Sequence, residues 1–157
     1  TTEIQALDLL GHKVLGTQGA MLKEFTKIIH KFNEANKDNA AMKEFVEPLA
    51  ALNKEWGDLT MQIGMRAMQN PDEVGAAAVD YLYFSGYVTL AYQWARMALV
   101  AQQKLAEGTT EVDFYNAKVK TAQFYFKKIL PRVRSHVDVI SGGLEPLMSL
   151  DAEHFAF

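Results

Sequence analysis

Cysteine is absent from the 157 residues, which excludes disulfides, thiolate metal sites and cysteine nucleophiles. Proline occurs four times, and the alternating β-branched runs with Asn-Gly turns that mark strands are missing. A basic excess is missing too: 16 Lys and Arg face 19 Asp and Glu, and a net charge of −3 argues against a general nucleic-acid binder. Long hydrophobic runs do not occur. Fifteen uncharged residues separate Asp80 from Arg96, with Ser85, Gly86, Thr89 and Gln93 among them. A membrane span needs ~20 apolar residues, so none is expected. No basic segment precedes an apolar core at the start, so no signal peptide is read, and the reducing cytoplasm is the default compartment. Serine is scarce (Ser85, Ser135, Ser141, Ser149), none sits in a nucleophile elbow, and no glycine-rich phosphate loop is seen.

What is present is helical periodicity over an ordinary globular composition, 49% hydrophobic and 22% charged, at a length that suits one domain. A first helical region is predicted from about Thr2 to Ala35, with Gly11, Gly16 and Gly19 as places to bend or break it. After a polar turn at Asn36 to Asn39, a second runs from about Ala40 to Gln69. Its apolar seam is Met42, Phe45, Leu49, Leu52, Trp56, Leu59, Ile63 and Ala67, and Pro48 marks either its start or a kink. Asn70-Pro71-Asp72-Glu73 reads as the start of a third, with Asn70 as N-cap.

That third region, Pro71 to Ala106, would extend ~53 Å. One seam comprises Ala76, Val79, Tyr83, Tyr87, Leu90, Trp94, Met97, Ala101 and Leu105, while the opposite side (Phe84, Val88, Ala91, Ala95, Ala98) is also apolar. A helix apolar all round belongs in a core or an interface. Thr110 and Asp113 suggest a capping box for the last helix. Its seam runs through Tyr115, Val119, Ala122, Phe126, Ile129, Val133, Val137 and Ile140, Pro131 should kink or end it, and Gly142-Gly143 closes it. Leu144 to Phe157 is an apolar tail that must dock or fray. The pattern therefore predicts an all-α chain: an antiparallel four-helix bundle of long helices, kinked where proline or glycine interrupts them.

Chemistry is sparse. A di-iron bundle needs Glu-x-x-His pairs on two helices, and the nearest motif is Asp151-x-x-His154 alone in the tail, so no metal site is expected. Asp8 and His12 stand one turn apart, as a local ion pair would. No catalytic residue is assigned within the chain. Asp80 and Arg96 are isolated charges on an apolar helix, and each is expected to pair with a neighbouring helix, with a cofactor or subunit as the other option for Arg96. Lys118, Lys120, Lys127, Lys128, Arg132 and Arg134 form a basic stretch without an acid, in which Lys120, Lys127 and Arg134 recur every seven. A solvated helix face is the favoured reading, and an electropositive strip for phosphate, CoA or nucleic acid the other.

The opening T-T-E-I-Q-A-L-D-L-L-G-H-K, Thr1 to Lys13, resembles the segment just after the catalytic glutamate of acyl-CoA dehydrogenases, Tyr-Glu-Gly-Thr-x-x-Ile-Gln-x-Leu. Tyr92-Gln93-Trp94-Ala95-Arg96-Met97-Ala98, Phe114-Tyr115-x-Ala117-Lys118, Thr121-Ala122-x-Phe124, Leu130-Pro131 and Gly142-Gly143-Leu144-Glu145-Pro146-Leu147-Met148 then follow in order. Together they resemble the extra C-terminal helical domain of the longer acyl-CoA dehydrogenases, the branch that includes the 3-methylmercaptopropionyl-CoA dehydrogenases.

The resemblance implies an FAD enzyme that takes an α-proton and a β-hydride from an acyl-CoA thioester. Its base is the glutamate two residues before the motif's first threonine, a position that would precede Thr1. A start inside the motif is expected of a cloning boundary or a proteolytic cut. Thr1 and Glu3 map to positions that contact FAD in the family. A carboxylate near the pyrophosphate is unfavourable by charge, and the longer branch often has glycine there, so Glu3 fits less well than Thr1. His12 replaces a common arginine. Residues 1–35 would end the catalytic helical domain and 36–157 form the extension, serving packing or a homo-oligomer interface. Acyl-CoA, an electron acceptor and upstream catalytic domains are the implied partners. A helical nucleic-acid-binding or protein-interaction module is the rival reading; the net charge opposes the first form of it.

Overall fold

A computed structural model of the chain describes residues 1–155, so the final two residues of the predicted tail lie outside the described residues. The described residues form seven α-helices: α1 (Thr2–Leu7), α2 (Ala20–Asn36), α3 (Lys43–Gln69), α4 (Asp72–Ala106), α5 (Val112–Phe124), α6 (Val133–Gly142) and α7 (Glu145–Met148). Short π and 3-10 turns join several of them, and no strand occurs among the described residues. The all-α expectation holds. No helix of the described residues is long and apolar enough to cross a membrane.

The first predicted helical region is four pieces. After α1 the chain continues as a π-helical stretch, Asp8–Val14, and a 3-10 turn, Leu15–Thr17. It then breaks where Gln18 (φ 53°) and Gly19 (φ 78°) both turn left-handed. Their amides close the turn on the carbonyls of Leu15 (2.9 Å) and Val14 (2.8 Å). Glycine accepts that conformation without strain, whereas Gln18 carries a side chain into it.

Pro48 neither starts nor ends α3, which runs through it for 27 residues. At the start of α4 the Asn70 side chain accepts the Asp72 amide at 3.0 Å, as its N-cap role requires. The cap before α5 differs from expectation. The helix begins at Val112, and the hydroxyl that meets a backbone amide is that of Thr109, from Glu111 at 3.1 Å, so the Thr110–Asp113 box is not the device used. Around Pro131 the helix gives way to a π stretch, Tyr125–Ile129, and a 3-10 turn, Leu130–Arg132, before α6 resumes. The missing proline N–H is thereby absorbed by a change of hydrogen-bond register.

The residues group into two compact units. One comprises Thr1–Lys23, Trp56–Ser85 and Val133–Phe157. Its core holds Leu10, Ile63, Tyr81, Phe84 and Ile140, all effectively sealed from solvent. The Trp56 and Phe84 rings meet edge to face at 6.3 Å. Gly64 lies under Leu15, where a Cβ would come within 3.5 Å of that side chain.

At the centre of this core the Tyr81 hydroxyl accepts the Trp56 indole N–H at 3.1 Å and lies 2.7 Å from the Thr60 hydroxyl. Thr60 gives its one proton to the Trp56 carbonyl at 2.7 Å, so Tyr81 donates to Thr60. Every polar atom of the trio has a partner. Burial pushes the Tyr81 phenol up to about 12 against the smaller opposing effect of its hydrogen bonds with Thr60 and Trp56.

The other unit comprises Glu24–Glu55 and Gly86–Arg132. Ile29, Met42, Phe45, Leu49 and Val88 are fully buried there. Phe45 and Phe126 meet at 5.2 Å, and Phe25 and Phe32 both present edges to Tyr92 (6.1 and 5.5 Å). The Tyr125 hydroxyl donates to the Tyr87 carbonyl at 2.8 Å, and burial again raises the phenol's pKa.

Helix α4, apolar on two faces in the sequence, buries one of them more completely than the other. The buried set is Ala77, Ala78, Tyr81, Phe84, Val88, Ala91, Tyr92, Ala95, Ala98 and Ala101. The bulkier seam is only partly covered, with Tyr83 47% and Leu90 51% exposed and Met97 also at the surface, whereas Ala101 is buried. Periodicity gave two apolar faces, and the one richest in alanine is inside because small side chains allow closer approach of neighbouring backbones.

Replacing Tyr81 with Phe strands the Trp56 N–H and the Thr60 oxygen, and should cost about 1–2 kcal/mol in urea unfolding at pH 7. In the parent chain the unfolded state loses the phenolic proton near pH 10 while the folded state keeps it to about 12. Stability should therefore fall as pH rises through that window, by up to about 1.4 kcal/mol per pH unit from this group. Unfolding curves across pH 8–12 should show a shallower alkaline fall for Tyr81→Phe.

Candidate functional site

Thr1 and Glu3 flank the start of α1, and both are exposed. The Thr1 carbonyl accepts the Gln5 amide at 3.1 Å, while its hydroxyl makes no capping bond. A threonine hydroxyl uncommitted to its own helix can donate to an anionic or carbonyl oxygen of a ligand. The Glu3 carboxylate can only accept, and it adds negative charge to the dipole-positive helix start.

One turn on, Asp8 holds Lys13 at 2.7 Å and His12 at 3.3 Å. The Lys13 hydrogen bond, with a smaller one from His12, lowers the Asp8 pKa. This is the local ion cluster expected from the spacing, and at such exposure it stabilises little. Asp151 and His154 are both exposed in the tail, joined by a backbone bond from His154 N–H to the Asp151 carbonyl at 2.9 Å. Among the described residues no group of three or more His, Asp or Glu could hold a metal ion.

Asp80 finds the partner its position demanded. Its carboxylate lies 2.7 Å from His136 Nδ1, with both side chains largely buried, and the His136 ring stacks on Tyr83 at 5.3 Å and 15°. An Nδ1–H given to a carboxylate fixes both the tautomer and the ring plane. The pair spans 56 positions in sequence, so nothing local to His136 revealed it. Arg66 forms a second polar node: its guanidinium donates to the Ile140 carbonyl at 2.8 Å and the Ser141 carbonyl at 3.4 Å, with Glu73 at 3.5 Å. It caps the end of α6 where the chain turns left-handed at Gly143 (φ 69°).

Arg96 departs from expectation. It is exposed, bonded at 3.2 Å to Gln93 one turn earlier and stacked over the Tyr92 ring at 5.5 Å, and so it remains on its own helix. Lys118 lies over the Phe114 ring at 5.1 Å. Both cations line an open groove of about 380 Å³ between α4 and α5, with Met97, Val100 and Phe114 on its apolar walls.

The basic stretch that contains Lys118 is not one continuous helical face. A π stretch and a 3-10 turn fall inside it and break the seven-residue register, and Lys127 reaches Glu44 at 3.9 Å. Glu44 also accepts a bond from Gln123 at 2.7 Å.

Comparison with known proteins decides the family. Residues 19–151 match the family described as "Acetyl-CoA dehydrogenase C-terminal like". The chain belongs to that family. Two similar proteins are the 3-methylmercaptopropionyl-CoA dehydrogenase of Ruegeria pomeroyi, 31% identical over 131 residues, and the broad-specificity linear acyl-CoA dehydrogenase FadE5 of Mycobacterium tuberculosis, 31% identical over 163. The matches cover 83% and 99% of this chain but only 22% and 27% of those proteins. This acyl-CoA dehydrogenase C-terminal chain thus spans about a quarter of the length of the relatives it matches. The sequence motifs named above point to the same family, and the match begins at Gly19, the second of the two left-handed residues.

Asp80→Ala removes the acceptor of His136 Nδ1 in a largely buried place. It should lower the unfolding free energy by about 1.5–3 kcal/mol in denaturant titration, with Asp80→Asn losing less because an amide oxygen still accepts.

Proposed function

We propose that this chain is the C-terminal helical part of an FAD-dependent acyl-CoA dehydrogenase, an oxidoreductase that converts an acyl-CoA thioester to the 2-enoyl-CoA. The observation that carries this reading is the family match over residues 19–151, preceded at Thr1 to Lys13 by the motif that follows the catalytic base in that family. The base itself would be supplied by the residue two positions before Thr1. Residues 1–35 would close the catalytic helical domain and residues 36–157 form the extension, although the family match starts earlier, at 19.

FAD, when bound, supplies the hydride acceptor. Of the two candidate contacts, Thr1 fits the group: its hydroxyl is exposed and uncommitted to the helix cap. Glu3 fits it poorly beside a pyrophosphate, since two negative groups repel, and we assign it at most a contact to a donor elsewhere on the flavin nucleotide. The chain's own contribution is packing. Among its exposed apolar residues are Ile4 and Leu7 on α1 and Met61, Met65 and Met68 on α3, Met68 being 88% exposed. Apolar surface of this kind is suited to burial against preceding catalytic domains or a second subunit. A cytoplasmic homo-oligomer acting on acyl-CoA with a separate electron acceptor is the corresponding whole. The nucleic-acid reading rests on the basic stretch, whose broken register and Lys127–Glu44 pairing weigh against it.

The purified 157-residue chain, mixed with FAD and desalted, should retain no flavin absorbance and should not reduce a dye acceptor with acyl-CoA as donor. A flavin-coloured, active preparation would overturn the assignment of chemistry to residues outside this chain.

A further inference from the structure

We infer that the groove between α4 and α5 is a binding site for a small amphiphilic anion, an alkyl chain ending in a carboxylate or phosphate. The inference goes beyond the packing role proposed above and does not depend on it. Two independent properties of the groove point the same way.

The first is charge. Arg96 and Lys118 both line the groove, and neither has a carboxylate partner among the described residues. What distinguishes these two cations is their place: each lies over an aromatic ring on the lining of the same groove, Arg96 over Tyr92 and Lys118 over Phe114. The Arg96 guanidinium lies over the Tyr92 ring, and Gln93 takes a hydrogen bond from Nη1. A guanidinium carries five N–H donors, so donors remain for an anion, and its planar fork suits carboxylate or phosphate. Lys118, over Phe114, adds a second charge that needs no fixed direction.

The second is the apolar wall. Met97, Val100 and Phe114 are all exposed at the groove, a cluster of oily side chains beside the two charges. The volume of about 380 Å³ lies within the range of small-ligand sites, at its lower end. An unbranched apolar chain fills such a trough, and methionine adapts to its shape. A plain inorganic ion would leave that wall wet, and a neutral oil would leave the cations unpaired. An amphiphilic anion satisfies both.

The test is an amide chemical-shift titration of the 157-residue chain with octyl phosphate, octanoate and octanol, each below its micelle concentration. Octyl phosphate or octanoate, or both, should shift resonances of residues 93–101 and 114–118 first, and comparing the two identifies the preferred head group. Octanol should bind at least tenfold more weakly. The double change Arg96→Gln with Lys118→Gln should weaken the anion at least tenfold and leave octanol unaffected, while Arg96→Lys should retain most of the affinity. Both cations are on the surface of helices, so unchanged circular dichroism and unfolding midpoint are expected controls. Equal affinity for octanol, shifts centred on Met61, Met65 and Met68, or undiminished binding in the double variant would overturn the inference. So would a sedimenting dimer that falls apart on the same double change, since a second copy would then occupy the groove.

Discussion

The alanine-rich face of α4 is the constraint on which the rest of the packing depends. Ala77, Ala78, Ala91, Ala95, Ala98 and Ala101 are all at or near zero exposure. A side chain of one carbon lets adjoining helices come near, and the larger groups between these alanines then fill the remaining space. In one unit Tyr81 and Phe84 do so, and the Tyr81 hydroxyl is met by Trp56 and Thr60 from α3. In the other Val88 and Tyr92 do so, with Phe25 and Phe32 of α2 set edge-on against Tyr92. A larger residue at these buried alanines would push neighbouring side chains off their places, the usual cost of overpacking a core.

The same geometry separates inward polar groups from outward apolar ones. Several inward polar groups are engaged with one another: Asp80 with His136, Thr60 and Trp56 with Tyr81, and Arg66 with the end of α6. Groups locked in this way hold a shape and are poorly placed to act on a substrate. The bulky apolar side chains left outside, on α1, α3 and the outer face of α4, are the ones able to meet another surface. That division between inward polar clasps and outward apolar faces suits a module that supports chemistry carried by other residues.

Much of the fold was legible because periodicity reports burial wherever a helix has one apolar face. The seam of the second helical region is buried at every position from Met42 to Ile63, and the last helical region likewise turns Ala122, Phe126, Val133 and Ile140 inward. On α4 apolar residues surround the axis, so periodicity alone does not say which face is innermost. Breaks were legible as places, Gly19 and Pro131, and not as mechanisms: the left-handed Gln18 and the π register before Pro131 leave no residue signature. Of the site, Thr1 and Glu3 came from resemblance to a motif. The Asp80–His136 pair and the Arg96–Lys118 groove join residues far apart in sequence, which no local spacing encodes.

The central claim is that these helices complete an enzyme whose catalytic base lies just before them. Sequencing the DNA that encodes the residues immediately upstream of Thr1 in the source genome tests it most directly. The account predicts Tyr-Glu-Gly, running without interruption into Thr1 and preceded by the remaining three-quarters of an acyl-CoA dehydrogenase. A start codon directly before Thr1, or an upstream stretch lacking that glutamate, would contradict it.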